Sequence, residues 1–109
     1  MTCRLYVAQR ASAAVLAPMV ALHIAVIFYA ARHDITAADI LARTRGSIAW
    51  GTFYAAFVVA ASLHGAVGIR NVLCEWSPMG ERSSGYAAAL FGLALFGLGL
   101  RAVAAVVLP

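Results

Sequence analysis

Three long apolar runs, at roughly 11–31, 48–73 and 86–108, are separated by two short polar segments. Each run comes near the ~20 residues that carry a helix across ~30 Å of hydrocarbon. The pattern therefore predicts an all-α fold, an integral membrane protein with three transmembrane helices forming a single membrane domain over residues 1–109. The first connection, ARHDITAADILARTRGS, sets Ile35, Ile40 and Leu41 in a polar background. Thr36 is placed to cap a short surface helix beginning at Ala37, with Asp39 in its first turn where a carboxylate meets free backbone N–H groups. The second connection, WSPMGERSSG, holds Pro78, Gly80, Ser83, Ser84 and Gly85, residues that turn a chain, and predicts a tight interfacial turn. Pro18 lies inside the first run, where it removes one backbone donor and either loosens the helix or is tolerated. In the third run, Ala88, Gly92, Gly97 and Gly99 allow another helix to approach closely. Three such thin helices make a poor core alone, so a membrane partner is expected.

Composition strengthens the membrane reading. Hydrophobic residues make up 64% and charged residues 11% of the 109, against roughly 45–50% apolar in soluble domains. All eight basic residues are arginines, scattered along the chain for a net charge of +4. That distribution suits lipid headgroups and excludes nucleic acid, which calls for a clustered basic stripe. Near the span ends, Arg4, Arg10, Arg70 and Arg82 fall on one side and Arg32, Arg43 and Arg45 on the other. The positive-inside rule then puts the N-terminus in the cytoplasm. Cys3 and Cys74 carry no metal-ligand spacing and fall near the same membrane face, as free thiols in a reducing compartment would. No A-x-A-like site precedes the first run, so a cleaved signal peptide is not expected and the first span does its own targeting.

The candidate chemistry lies in SLHGAVGIRNVLCEW, residues 62–76. His64 lies nine residues before Leu73, about 14 Å below that end of the helix and near mid-membrane, where an unpartnered imidazole is costly. At 100° per residue, Gly68, Asn71 and Glu75 come within about 40° of its direction, so one face of an apolar helix is polar or small. A haem axial ligand needs a neutral imidazole aimed into a slot between helices, and Gly68 leaves room there for a flat macrocycle. A hydrogen bond between helices, or a proton relay, would use the same histidine. Arg10, opening the first span, and Glu75, closing the second, are expected at similar depth in antiparallel helices, beside haem propionates or a quinone headgroup. Arg10 would otherwise snorkel to lipid phosphate. Trp76 is also a natural member of the aromatic belt. His23, likewise near the midplane, is the rival ligand, although VALHIAVIF offers it no glycine or polar companion. His33 reads as solvated, and Arg101 as snorkelling outward.

His64-x-x-x-Gly68, the acidic–aromatic pair Glu75–Trp76 and Gln9-Arg10-Ala11-Ser12-Ala13 together resemble the hydrophobic membrane-anchor subunits of succinate dehydrogenase, in particular the D-type cytochrome b small subunit. The resemblance spans nearly the whole chain through its order of motifs. It implies a multi-pass subunit of a complex in the bacterial inner membrane, in which a flavoprotein subunit oxidises succinate and an iron–sulfur subunit passes the electrons on. Two anchors, this one and a cytochrome b large subunit, would bind haem b and reduce ubiquinone or menaquinone. His64 corresponds to the family's ligand to the haem iron, and Arg10 to an arginine near the propionates and the quinone. Glu75 and Trp76 stand where the family has an Asp-Tyr pair bordering the quinone. Indole donates through its N–H but neither accepts nor titrates as a phenol does. Alternatives are an anchor of fumarate reductase or another quinone-linked flavoenzyme, in which a second haem would give His23 a purpose, and a non-redox assembly protein whose histidines only tie helices together.

Overall fold

The computed structural model describes residues 2–109, so the first residue of the expected domain lies outside it. Four helices follow in order, α1 Cys3–Arg32, α2 Ala37–Thr44, α3 Ile48–Trp76 and α4 Glu81–Val107. Three of them, α1, α3 and α4, are long and apolar enough to cross a membrane. At ~1.5 Å per residue they run about 40–45 Å, so their ends extend past the ~30 Å hydrocarbon layer into the headgroups. The fold is elongated, 48 × 24 × 21 Å.

Two helices begin earlier than the apolar runs suggest. The α1 helix starts at Cys3 rather than near Ala11, with the Thr2 hydroxyl accepting from Leu5 N at 3.3 Å. The α4 helix starts at Glu81 rather than Tyr86, so the ERSSG segment expected in the turn forms its first turns. Glu81 suits that place because its charge opposes the positive end of the helix dipole. The turn itself is short. The Ser77 hydroxyl donates to Leu73 O at 2.6 Å and accepts from Met79 N at 3.2 Å. Pro18 sits inside an uninterrupted α1.

The short α2 helix forms where expected. Thr36 and Asp39 close a reciprocal capping box, with Asp39 N donating to the Thr36 hydroxyl at 3.2 Å and Thr36 N donating to Asp39 at 2.9 Å. Those hydrogen bonds, the backbone one foremost, hold the Asp39 carboxyl below its ordinary value, with Arg43 adding to the effect. Before it, α1 ends in a left-handed turn at Asp34 (φ 51°), which lets Ile35 N reach back to Ala30 O at 3.1 Å. After it, Gly46 (φ 71°) turns the chain so that its N–H donates to Val107 O at 2.7 Å. The Thr44 hydroxyl reaches Val106 O at 2.6 Å. Two carbonyls at the end of α4, which have no partner within the helix, are thus bound by the end of α2 and the turn after it.

The α3 helix is the hub, with α4 against one side and α1 against another. Small residues make the α3–α4 seam. Ser84, Ala88 and Gly92 are buried at successive turns of α4. A Cβ on Gly92 would lie 2.8 Å from Ala66 Cβ, and one on Gly99 would lie 2.5 Å from a Val58 methyl. Gly97 has nothing within 4 Å and faces away from the seam. The close-approach face expected of this helix is therefore used within the chain. Val67 and Ala88 are the only buried hydrophobic residues among those described, and many large apolar side chains are exposed, as a surface meeting lipid or another membrane subunit requires.

Candidate functional site

His64 faces α1. Its Nδ1 lies 3.2 Å from the Ser12 hydroxyl, which also donates to Gln9 O at 3.1 Å. Gln9 and Ser12 are three apart and share one face of α1. Ser12 is buried and His64 half-buried. Gly68, one turn along α3, faces the same seam, and a Cβ there would stand 3.4 Å from Gln9 Nε2. On the α1 side the Gln9 amide stands beside Gly68, at ordinary van der Waals distance from where a Cβ would lie. Gln9 Oε1 is buried without a hydrogen-bond partner.

The pairings of Ser12 with His64 and Gln9 with Gly68 fix the register of the antiparallel helices and correct one expectation. Arg10 lies level with residues 66–67 of α3, roughly 12 Å deeper than Glu75 at ~1.5 Å per residue. It does not sit at the opening of the helix, because seven helical residues precede it. Arg10 points away from α3 and is exposed on this chain, as are Glu75 and Trp76, the last 83% exposed. No ion pair joins Arg10 to Glu75. Arg10 lies about 10 Å from the end of α1 at Cys3, within reach of the headgroup layer by snorkelling or of a polar group on a neighbouring subunit.

His23 lies at a different level. Eleven residues separate it from Ser12 on α1, about 16 Å along the axis, so His23 and His64 cannot reach one iron. The His23 ring meets Tyr54 edge-on at 5.9 Å and Phe57 at 5.6 Å, and its Nδ1 is buried without a partner. It lines a cavity of about 510 Å³ between the C-terminal half of α1, α2 and the N-terminal half of α3, together with Trp50, Tyr54 and Arg43. His33 is exposed at the end of α1, its Nδ1 donating to Tyr29 O at 2.9 Å. Cys3 and Cys74 are free.

Residues 1–99 match the family described as the succinate dehydrogenase/fumarate reductase transmembrane subunit. The chain belongs to that family. As a succinate dehydrogenase/fumarate reductase transmembrane subunit with three apolar helices, it is a multi-pass membrane protein and a component of such a complex. No curated protein and no solved structure matches it.

A haem is the group that membership of this family raises, and the seam can be tested against it. His64 fits a ligand in three respects. It is partly accessible rather than enclosed, its Nδ1 is held, and its Nε2 has no hydrogen-bond partner among the described residues. A metal-bound histidine has its second nitrogen held by a neighbour in the same way. The described residues hold no group of three or more His, Cys, Asp or Glu side chains placed to bind a metal ion.

Sequence reasoning passed over Gln9 and Ser12 except as parts of a motif. Two polar side chains at i and i+3 in an otherwise apolar span were the available signal, since they make a stripe that must face protein.

Proposed function

We propose that this chain is the small, D-type membrane anchor of a succinate dehydrogenase, lying in a bacterial cytoplasmic membrane with its N-terminus on the cytoplasmic side. His64 would hold the iron of a haem b through Nε2, together with a residue of a large cytochrome b anchor. The observation that carries this reading is the held Nδ1 and unpartnered Nε2 of His64 at mid-membrane depth, in a chain of this family.

The haem, when bound, supplies a one-electron centre within the membrane. Around it, the chain's own residues orient and neutralise. Ser12 holds the His64 ring, with Gln9 beside Gly68 at the same seam. Arg10, exposed on this chain, would offer a charge-assisted hydrogen bond to a haem propionate or a quinone oxygen in the assembled complex. Quinone reduction consumes two electrons and two protons. The electrons come from the iron–sulfur subunit, which the flavoprotein subunit charges from succinate. Glu75, exposed at the cytoplasmic end of the face that carries His64, is placed to pass protons, and the exposed Trp76 N–H to donate a hydrogen bond to ubiquinone or menaquinone.

The test is spectroscopic. Membranes bearing the complex should show a reducible b-type α-band, and His64→Ala should abolish or displace it. An unchanged band in that variant would sink the ligand reading.

A further inference from the structure

We infer that Ser12 is the positioning residue for His64, setting which ring nitrogen carries the proton. The inference rests on the haem reading above and concerns how this chain prepares its ligand.

The Ser12 hydroxyl has one hydrogen and two lone pairs. It lies 3.1 Å from Gln9 O and 3.2 Å from His64 Nδ1. A carbonyl oxygen only accepts, so a bond to Gln9 O uses the hydroxyl's single hydrogen. The serine oxygen is then left as an acceptor, and Nδ1 must carry the proton that fills it. This arrangement makes both hydrogen bonds. If Ser12 donated to Nδ1 instead, only one bond would form, and the proton would move to Nε2, where no acceptor stands among the described residues. An unpaired N–H at mid-membrane is costly. Ser12 is only 6% exposed, so water does not take the place of either of its partners. Serine commonly bonds to a preceding carbonyl of its own helix in this way, and here the bond makes the side chain an acceptor of fixed direction.

Two consequences follow. The imidazole presents an Nε2 lone pair before any iron arrives, because the tautomer is set by α1. The Nδ1–H to oxygen bond also makes the ring a stronger electron donor, which favours the ferric over the ferrous ion. Ser12 thus acts on the haem through His64 without touching it.

The test measures haem potential and haem retention in the assembled complex for Ser12→Ala, Ser12→Cys and Ser12→Thr. Ser12→Ala should keep the haem but raise its midpoint potential and speed its transfer to a haem-scavenging apoprotein by roughly 10- to 100-fold, the usual effect of losing such a partner. Ser12→Thr, which keeps the hydroxyl, should restore both values. Ser12→Cys keeps the bulk with a weak acceptor and should fall between, which serves if Ser12→Ala does not assemble. Wild-type potential and retention in Ser12→Ala, or in Ser12→Cys where the alanine variant is absent, would overturn the inference. A His64→Ala complex that retained its α-band would instead overturn the haem reading beneath it.

Discussion

Replacing single glycines of α4 by alanine separates the packed face of that helix from its free face. At Gly99 a new Cβ would stand 2.5 and 2.8 Å from the two methyls of Val58 and 3.2 Å from its Cβ. Valine is stiff about χ1, and no rotation clears both methyls and the branch carbon together, so the helices must move apart. At Gly92 the obstacle is Ala66 Cβ at 2.8 Å, with the Ser62 carbonyl 3.6 Å away, and neither can swing aside. Overpacking of this kind costs about 1–3 kcal/mol, set against about 0.8–1 kcal/mol of helix propensity that alanine gains over glycine. Gly99→Ala and Gly92→Ala should therefore lose up to about 2 kcal/mol net. Gly97→Ala, with nothing within 4 Å of its new Cβ, should be neutral or gain up to about 1 kcal/mol. Unfolding in mixed micelles against SDS mole fraction, followed by a fluorophore pair spanning α3 and α4, reads these differences. Adding Val58→Ala to Gly99→Ala should recover part of the loss, with a coupling of about 0.5–3 kcal/mol. Equal shifts for all three glycines, or no coupling with Val58, would refute the seam.

Two further outcomes are expected. Arg10→Ala should lower quinone-reductase kcat/KM about 10- to 100-fold, the worth of one charge-assisted hydrogen bond, while succinate oxidation with an artificial acceptor dye continues; wild-type quinone reduction would remove Arg10 from the site. The α2 cap should be pH-sensitive. The folded-state pKa of Asp39 lies below its ordinary 3.8, so the stability it contributes is present above that value and is lost as pH falls through the lowered folded value. Hydrogen exchange at the Asp39 and Ile40 amides should then quicken relative to amides within α3, and Asp39→Asn should remove that dependence.

Local features were the most legible. The Thr36–Asp39 capping box was plain in sequence because its partners are three residues apart. The polar face of α3 was plain because helical geometry sets the spacing of His64, Gly68 and Asn71. The helix starts at Cys3 and Glu81 were not, because hydropathy marks where hydrocarbon begins, whereas a helix runs on through charged and polar residues in the headgroup layer. That same effect misplaced Arg10. Gly97 could have been separated from Gly92 and Gly99 on a helical wheel, where it stands about 140° away from Gly92. The contact of Gln9 with Gly68 lay beyond reach, since it depends on the register of α1 against α3.

The bond between Ser12 and His64 joins residues 52 positions apart, which has a consequence for biosynthesis. At about 5–20 residues per second, the ribosome adds that stretch in roughly 3–10 s. For that interval α1 has Gln9, Arg10 and Ser12 in place while α3 has yet to follow, so its polar stripe needs shelter from lipid. Retention beside the insertion channel, or early capture by the companion anchor, would provide it. Once α3 arrives, the closing of this seam would be the step that commits the subunit to its final form.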